Sequence, residues 1–333
     1  MDFINGESLL ALCASEHMTI SQVMLQREMD LGETTKDAVY SRMARSIEIM
    51  KSSTRDPIAS PVRSMGGLLG GESKAVWTHA FGAKSAPPAE AGASEAGKSA
   101  GVYGPAGAYG PAGVYGPTGA YGPAGAVPLC GSTLSKAIAY AMAVLEVNAS
   151  MGLIVAAPTA GSSGVIPGTV LSICEDYSLG EDAIYEGILN ASAIGYIIMR
   201  NASVSGAEAG CQAEVGAASA MAASAAAQLL GGSPQVCLTA ASLALSNLLG
   251  LVCDPIAGLV ESPCQSRNAI GVSNAFTSAQ LALAGVRHPI PLDEMVEAMY
   301  KVGQSLPFEL RETALGGCAA TPTGCQLCSQ CIH

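Results

Sequence analysis

The strongest constraint on the fold is the segment between Glu214 and Asp254, which contains no charged side chain. Gly231-Gly232-Ser233-Pro234 divides it into two halves that are rich in Ala and Ser. Each half is shorter and less apolar than a membrane-spanning helix, which needs about 20 strongly apolar residues. A helix that is apolar on every side is buried. The segment therefore predicts a buried helical hairpin at the centre of the fold.

Helical patterns dominate the rest of the chain. Val39, Met43, Ile47 and Met50 recur at helical spacing, which predicts an amphipathic helix over residues 35–51. A weaker pattern covers residues 6–30, and further helices are predicted over 133–147, 181–199, 214–230, 236–251, 266–284 and 292–306. No comparable alternating pattern indicates strands. We expect a mainly α fold, a compact helical domain around the hairpin.

A low-complexity segment, residues 83–128, interrupts these patterns. Tyr103, Tyr109, Tyr115 and Tyr121 lie six residues apart, each followed by Gly-Pro-Ala-Gly or Gly-Pro-Thr-Gly. Regular proline excludes a helix, and abundant glycine disfavours a packed core. The segment predicts a disordered Gly/Pro/Tyr repeat insertion, and a tract that recruits a partner is the alternative. The predicted organisation is an N-terminal helical part over 1–82, the insertion, the main helical body over 129–324, and a Cys-rich tail over 325–333.

Charge and cysteine usage limit the classes of partner and compartment. The net charge of −11 argues against nucleic acid, because phosphate binding needs clustered Lys and Arg. The N-terminus lacks the basic and apolar regions of a secretory signal. Eleven scattered cysteines fit reduced thiols or metal ligands better than a disulfide framework. We expect a cytoplasmic protein that neither spans a membrane nor binds nucleic acid.

Cys211, Cys253 and Cys264 lie in or beside the uncharged segment. Thiolates are costly in apolar surroundings unless a metal or cations neutralise them. Buried structural cysteines are also common, and no compact Cys-x-x-Cys pair joins these three. From spacing alone, a metal site and structural cysteines both stay open.

Two glycine-rich loops and the tail offer further candidate sites. The loop from Ser64 to Glu72 lacks the Lys-Ser or Lys-Thr of a phosphate loop, so it either supports a site or connects helices. The loop over 158–168 is rich in N–H groups and hydroxyls that suit a carboxylate, or it is simply a tight turn. The tail run Cys325-x-x-Cys328-x-x-Cys331, which follows Cys318, matches bacterial-type cluster spacing. A zinc site completed by His333, and a tail without metal, are the alternatives.

Eight motifs, in order and at family-like separations, resemble the alpha chain of the iron-sulfur-dependent L-serine dehydratases. They are Glu146-Val-Asn148-Ala-Ser-Met-Gly152, Ala157-Pro-Thr159-Ala-Gly-Ser162, Asn201-Ala-Ser-Val-Ser-Gly206, Gly210-Cys211-Gln-Ala-Glu-Val-Gly216, Leu251-Val-Cys253-Asp-Pro-Ile-Ala-Gly258, Pro263-Cys264-Gln-Ser-Arg267-Asn268, Arg311-Glu-Thr313 and Ala319-Ala-Thr-Pro-Thr-Gly324. The resemblance covers the chain apart from residues 83–128 and the last nine.

The resemblance implies a 4Fe-4S cluster held by Cys211, Cys253 and Cys264, with one iron left without a protein ligand. It implies conversion of L-serine to pyruvate and ammonia, in which the open iron acts as a Lewis acid for the substrate hydroxyl. It also implies a separate beta chain, a homo-oligomer or both. Some relatives place a near-terminal cysteine over the open iron, and Cys325 is the candidate here. Pyridoxal phosphate is not expected, because no convincing Schiff-base lysine or phosphate loop is present.

Donors for the substrate carboxylate are Asn148, Thr159, Ser162, Asn201 and Arg267. The asparagines are equally suited to capping helices, and Arg267 to pairing with Glu261 or Asp254. No residue is assigned as the general base. Two alternative functions stay open: a related cluster-dependent lyase acting on L-cysteine or L-threonine, and a non-catalytic iron-sulfur assembly or carrier protein.

Overall fold

The computed structural model describes residues 1–83, 85–88 and 128–331, and helices make up most of them. The helices are α1 (Gly6–Ser15), α2 (Ile20–Gly32), α3 (Lys36–Ala59), α4 (Glu72–Phe81), α5 (Gly131–Ala149), α6 (Val165–Asp176), α7 (Glu181–Asn201), α8 (Gly206–Ala209), α9 (Ala217–Leu229), α10 (Pro234–Asn247), α11 (Cys264–Leu283), α12 (Leu292–Ser305) and α13 (Pro322–Cys331). Within these residues the extended pairing is a single parallel bridge between Cys253 and Arg311. The predicted mainly α fold is confirmed. Most of the predicted insertion lies outside the described residues.

Side-chain caps explain where several helices begin. Asn5 accepts a hydrogen bond from Ser8 N at 2.9 Å at the start of α1. Thr19 accepts one from Gln22 N at 3.3 Å at the start of α2. In both cases the third helical residue bonds back to the capping residue, so two otherwise unpaired N–H groups are satisfied. Ser233 caps α10 by accepting a hydrogen bond from Val236 N at 3.4 Å, and Pro234 occupies the first helical position.

Helices α9 and α10 form the predicted hairpin and lie at the centre of the molecule. Residues 217–227 of α9 are all buried, and the helix packs against α6, α7, α10 and α11. Small side chains allow this crowding: a Cβ on Gly195 of α7 would lie 2.6 Å from Met221 Cε. No described helix is both long enough and apolar enough to cross a bilayer.

The helices on the two sides of the repeat segment belong to one packed body. Both α3 and α4 pack on α5, and α2 packs on α7. A half-buried ion-pair network reinforces the junction, because Glu175 of α6 contacts Arg55 Nη2 at 2.9 Å and Lys136 Nζ at 3.1 Å. Tyr140 donates its hydroxyl to the same carboxylate at 3.0 Å. The segment before the repeat is therefore an integral part of the core.

Four of the described helices do not follow from the sequence patterns, and one of them, α8, has only four residues. Helix α6 begins at Val165, inside the stretch interpreted as a loop, because its residues are buried on nearly every side and show no amphipathic period. Pro167 is tolerated in its first turn, where N–H groups lack helical partners anyway. Helix α4 starts at the end of the first glycine-rich loop. Helix α13 covers most of the Cys-rich tail.

Candidate metal centre

Three buried cysteines from separate elements converge. Cys211 precedes a π-helical turn, Gln212–Gly216, whereas Cys253 lies in an extended stretch and Cys264 begins α11. Their exposed fractions are 3%, 2% and 6%. The sulfurs of Cys211 and Cys253 lie within 4.8 Å of each other. The fold thus brings together thiols that are far apart along the chain.

Glu214 lies beside two of these thiols, those of Cys211 and Cys253. The sequence patterns did not identify it as a site residue. Its Oε2 lies 3.9 Å from Cys211 Sγ and 3.8 Å from Cys253 Sγ. Thr159 donates its hydroxyl to the other carboxylate oxygen at 2.7 Å. Burial raises the pKa of Glu214, and the nearby Glu312 adds to this, while the bond from Thr159 partly offsets it. Its position in the sequence could have identified it as a site residue. It lies one helical turn after Cys211 and is the last charged residue before the uncharged segment.

Backbone pairing fixes the position of Cys253. Its N–H donates to Leu310 O at 2.9 Å, and its carbonyl accepts from Glu312 N at 2.8 Å. The Arg311-Glu-Thr motif therefore acts partly through its backbone, as the strand partner of a site cysteine. A residue whose N–H and carbonyl are both hydrogen-bonded can present its side chain without local rearrangement.

The amide of Gln212 secures the turn that follows Cys211. Its Nε2 donates to Ala209 O and to Met299 O, both at 2.9 Å, and its Oε1 accepts from Gly250 N at 2.9 Å. All its hydrogen bonds reach backbone groups from three different segments. The residue after Cys211 thus joins the π-helical turn to α12 and to the loop that leads to Cys253.

Asn268 has the same function at the third cysteine. It is fully buried, and its Oδ1 accepts from Gly164 N at 3.0 Å. Its Nδ2 donates to Gly161 O at 2.7 Å and to Cys264 O at 2.9 Å. The loop that carries Thr159 is thereby held against the start of α11.

Arg267 supplies positive charge beside the thiols. Its Nη2 contacts Asp254 Oδ1 at 2.7 Å, and its Nη1 donates to Val252 O at 2.8 Å. Burial lowers the pKa of Arg267, whereas the nearby Cys211 sulfur and Asp254 carboxylate raise it. The second effect is larger, so the pKa of Arg267 is raised overall. Of the two partners considered from sequence, Asp254 is therefore the one it contacts.

The thiols of Cys253 and Cys264 bind protons strongly. Contact with the Cys211 thiol, together with burial, holds the pKa of Cys253 far above its ordinary value. Burial raises the pKa of Cys264 to about 12, and Arg267 only partly counters this. Because both thiols are protonated near neutral pH, a metal that binds here must displace their protons. Thiol and carboxylate donors suit a thiophilic transition metal.

The other predicted residues divide into two groups. Ser162 is fully buried, and its Oγ lies 3.1 Å from Thr159 Oγ1, beside Glu214. Asn201 instead donates to Ile4 O and Ile197 O, both at 2.8 Å, at the end of α7. Asn148 is half-buried in the last turn of α5. No contact in the described residues joins either asparagine to the cysteines, and the substrate roles of all five candidates stay predictions.

Contacts are described for two of the tail cysteines, Cys318 and Cys325. Cys318 N donates to Asp254 Oδ2 at 2.6 Å, which places this residue beside the Arg267–Asp254 pair. Cys325 is exposed on α13, with its Sγ 3.7 Å from Ala319 O. The side chains of Cys331 and His333 lie outside the described residues. A tail ligand at Cys325 stays a prediction.

Glu261 anchors the first glycine-rich loop beside the metal-centre residues. Its carboxylate, 2% exposed, accepts from Ser64 Oγ at 2.6 Å, from Gly66 N at 2.7 Å and from Leu68 N at 3.0 Å. A Cβ on Gly66 would lie 2.8 Å from the same carboxylate. The loop therefore supports the segment that leads to Cys264, which favours the first of its two interpretations.

Glu261→Ala is expected to lower the free energy of unfolding of the cluster-free chain by about 3 kcal/mol, because it leaves buried donors without an acceptor. Urea unfolding followed by circular dichroism measures this change. The matched control is Glu297→Ala, which removes an exposed ion pair with Lys301 and should cost less than about 0.5 kcal/mol. Equal effects of the two substitutions would contradict the anchoring role of Glu261.

Known proteins of one family are similar to this chain over nearly its whole length. The family described as serine dehydratase alpha chain matches residues 15–319. A probable L-serine dehydratase alpha chain of Bacillus subtilis is 39% identical over 325 residues, which are 98% of this chain and 94% of the relative. The L-serine dehydratase alpha chain of Peptoniphilus asaccharolyticus is 38% identical over 96% of this chain and 94% of its own length. L-serine dehydratase 2 of Escherichia coli is 45% identical over 190 residues, which are 56% of this chain and 41% of that relative.

Proposed function

The chain belongs to the serine dehydratase alpha chain family, and from this premise we propose that it is a lyase that converts L-serine to pyruvate and ammonia with a 4Fe-4S cluster held by Cys211, Cys253 and Cys264. The observation that supports this best is the convergence of three buried thiols from three separate segments. Cysteine thiolates are the usual ligands of 4Fe-4S clusters, and limited exposure to solvent is one of the factors that set the properties of such a cluster.

The donor set fits such a cluster. Three thiols are available, and Arg267 beside Cys211 offsets the negative charge that their ionisation creates. Gly206 allows the backbone to approach the site closely, since a Cβ there would lie 3.1 Å from Cys253 Sγ. When bound, the cluster would supply a Lewis acid for the hydroxyl that leaves serine, a stronger device than a general acid worth about 10²- to 10⁴-fold.

The residues around the thiols would bind and orient the amino acid. Arg267 is a positive group for the substrate carboxylate, although its ion pair with Asp254 already uses one of its nitrogens. The Thr159 and Ser162 hydroxyls lie beside Glu214 and offer hydrogen bonds at the same site. The buried surroundings exclude water, which strengthens each of these polar contacts.

A separate beta chain is the partner we propose. Both relatives that match this chain over almost their full length carry the name alpha chain. The Escherichia coli relative is a longer single chain, of which the matched segment is 41%. The enzyme is therefore expected to require a second polypeptide, a homo-oligomer or both.

The proposed function predicts that anaerobically reconstituted protein, together with its partner chain, binds about four irons and forms pyruvate from L-serine. Iron content, visible absorbance and pyruvate should be measured in the same sample. L-Threonine and L-cysteine serve as comparison substrates, with 2-oxobutanoate and sulfide as their products. Absence of iron uptake would contradict the cluster, and faster turnover of either comparison substrate would contradict the assignment to serine.

A further inference from the structure

Cys211, Glu214 and Cys253 form a compact group that differs from the three-cysteine set. Their ligand atoms all lie within 4.8 Å of one another, and Cys264 is outside this group. From this geometry we infer that the cluster-free chain binds a single thiophilic divalent cation, of the class of Zn²⁺ or Fe²⁺, through the thiolates of Cys211 and Cys253 and the carboxylate of Glu214. This site shares two thiols with the proposed cluster, but the binding of one ion to the cluster-free chain does not require the reaction proposed above.

The distances match the coordination sphere of one ion. With metal–sulfur bonds of about 2.3 Å and metal–oxygen bonds of about 2.1 Å, a tetrahedral site has donor–donor distances of about 3.5 to 3.8 Å. Glu214 Oε2 lies 3.9 Å from Cys211 Sγ and 3.8 Å from Cys253 Sγ. Sulfurs that each bind a different iron of a cluster lie farther apart. The cluster-free arrangement therefore suits one ion better than several.

The surroundings hold the three donors in place. Thr159 binds Glu214 Oε1 at 2.7 Å and leaves Oε2 to face the sulfurs. The backbone N–H and carbonyl of Cys253 are both hydrogen-bonded to the segment 310–312. Gly206 provides the necessary space, because a Cβ there would lie 2.5 Å from Glu214 Oε2. A preorganised site loses little conformational entropy when the ion binds, which increases affinity.

Protons are released when the ion binds. The two thiols lose their protons to solvent as the metal–sulfur bonds form, and Glu214 binds as a carboxylate. Two thiolates and one carboxylate exceed the charge of a divalent cation by one, and Arg267, which lies beside Cys211 and also pairs with Asp254, reduces the cost of that excess negative charge. Water occupies the fourth position, as in zinc sites with three protein ligands.

Anaerobic Co²⁺ titration of the cluster-free full-length chain tests this inference. Cys325→Ser, Cys328→Ser and Cys331→Ser are introduced first, so that the tail run cannot bind the metal. We expect one Co²⁺ per chain with sulfur-to-cobalt charge-transfer absorbance and tetrahedral d–d bands in the visible. Glu214→Gln should weaken binding at least about 100-fold, since even groups that only orient a ligand contribute about 10- to 100-fold.

Cys264→Ser is the decisive companion variant, because it removes a proposed cluster ligand and leaves the single-ion site intact. It should bind Co²⁺ within about threefold of the parent affinity. Loss of the cobalt bands in Cys264→Ser, or unchanged affinity in Glu214→Gln, would overturn the inference. If Glu214→Gln does not fold, Thr159→Val replaces it, with an expected loss of about tenfold. Pyruvate formation by reconstituted wild-type protein is scored separately, so failure of this site and failure of the proposed function are distinguishable.

Discussion

Cys253→Ala is expected to abolish iron binding and to lower pyruvate formation at least about 10³-fold. Removal of one preorganised hydrogen-bond donor that stabilises negative charge in a transition state lowers kcat about 10²- to 10³-fold. A bound metal lowers the pKa of coordinated water by about nine units, so loss of a Lewis acid at the leaving hydroxyl is more severe. Iron content and pyruvate release after anaerobic reconstitution measure both effects.

Cys237→Ala is the matched control for this experiment. Cys237 is 0% exposed and Cys253 is 2% exposed, so both substitutions remove one sulfur from a buried position. Cys237 lies in α10, with its Sγ 3.7 Å from Gly232 O, and no described contact joins it to the metal centre. It should keep its iron and its activity. Similar loss in both variants would show that packing, rather than metal ligation, explains the effect.

Gly206→Ala is expected to reduce iron content and activity at least about tenfold while the helical structure persists. The added methyl group would lie 2.5 Å from Glu214 Oε2 and 3.1 Å from Cys253 Sγ, so one of these side chains has to move. Displacement of the ligand atoms weakens metal binding even when every ligand remains, because the donors must be held within about 0.5 Å of the binding geometry. Circular dichroism and iron analysis of the same preparation separate folding from metal binding.

Gly180→Ala provides the comparison for Gly206→Ala. A Cβ at Gly180 meets nothing within 4 Å, and the residue lies at the start of α7 with φ of −62°, which alanine adopts freely. Its iron content and activity should equal those of the wild type. Normal iron content in Gly206→Ala would mean that the close packing of residue 206 against Glu214 and Cys253 does not limit metal binding.

Much of the fold could be predicted from local pattern. The uncharged segment predicted the central hairpin, and α9 is buried along residues 217–227 as expected. The amphipathic period of residues 35–51 predicted α3, which extends to Ala59. Helix α6 escaped prediction because burial on nearly all sides removes the contrast between apolar and polar faces on which periodicity depends.

The candidate site was predicted less completely. The three cysteines could be proposed as cluster ligands only through the motifs around them, since their spacing alone favoured a structural role. Glu214 was inside one of those motifs but was not identified, because nothing local shows that its carboxylate lies 3.8 Å from Cys253 Sγ. Asn201 was grouped with the substrate residues; its amide donates to the backbone at Ile4 and Ile197, and its substrate role stays a prediction.

The sequence by itself determined that most of residues 215–253 form buried helices, since an uncharged Ala-rich segment gains free energy by leaving water, and this follows from composition alone. Only the tertiary structure decided the metal-centre geometry. The contact of Glu214 with Cys253, the pairing of Cys253 with residues 310–312 and the attachment of Cys264 to the Thr159 loop through Asn268 all join distant segments. Such distances depend on how whole helices pack, and no local pattern specifies them.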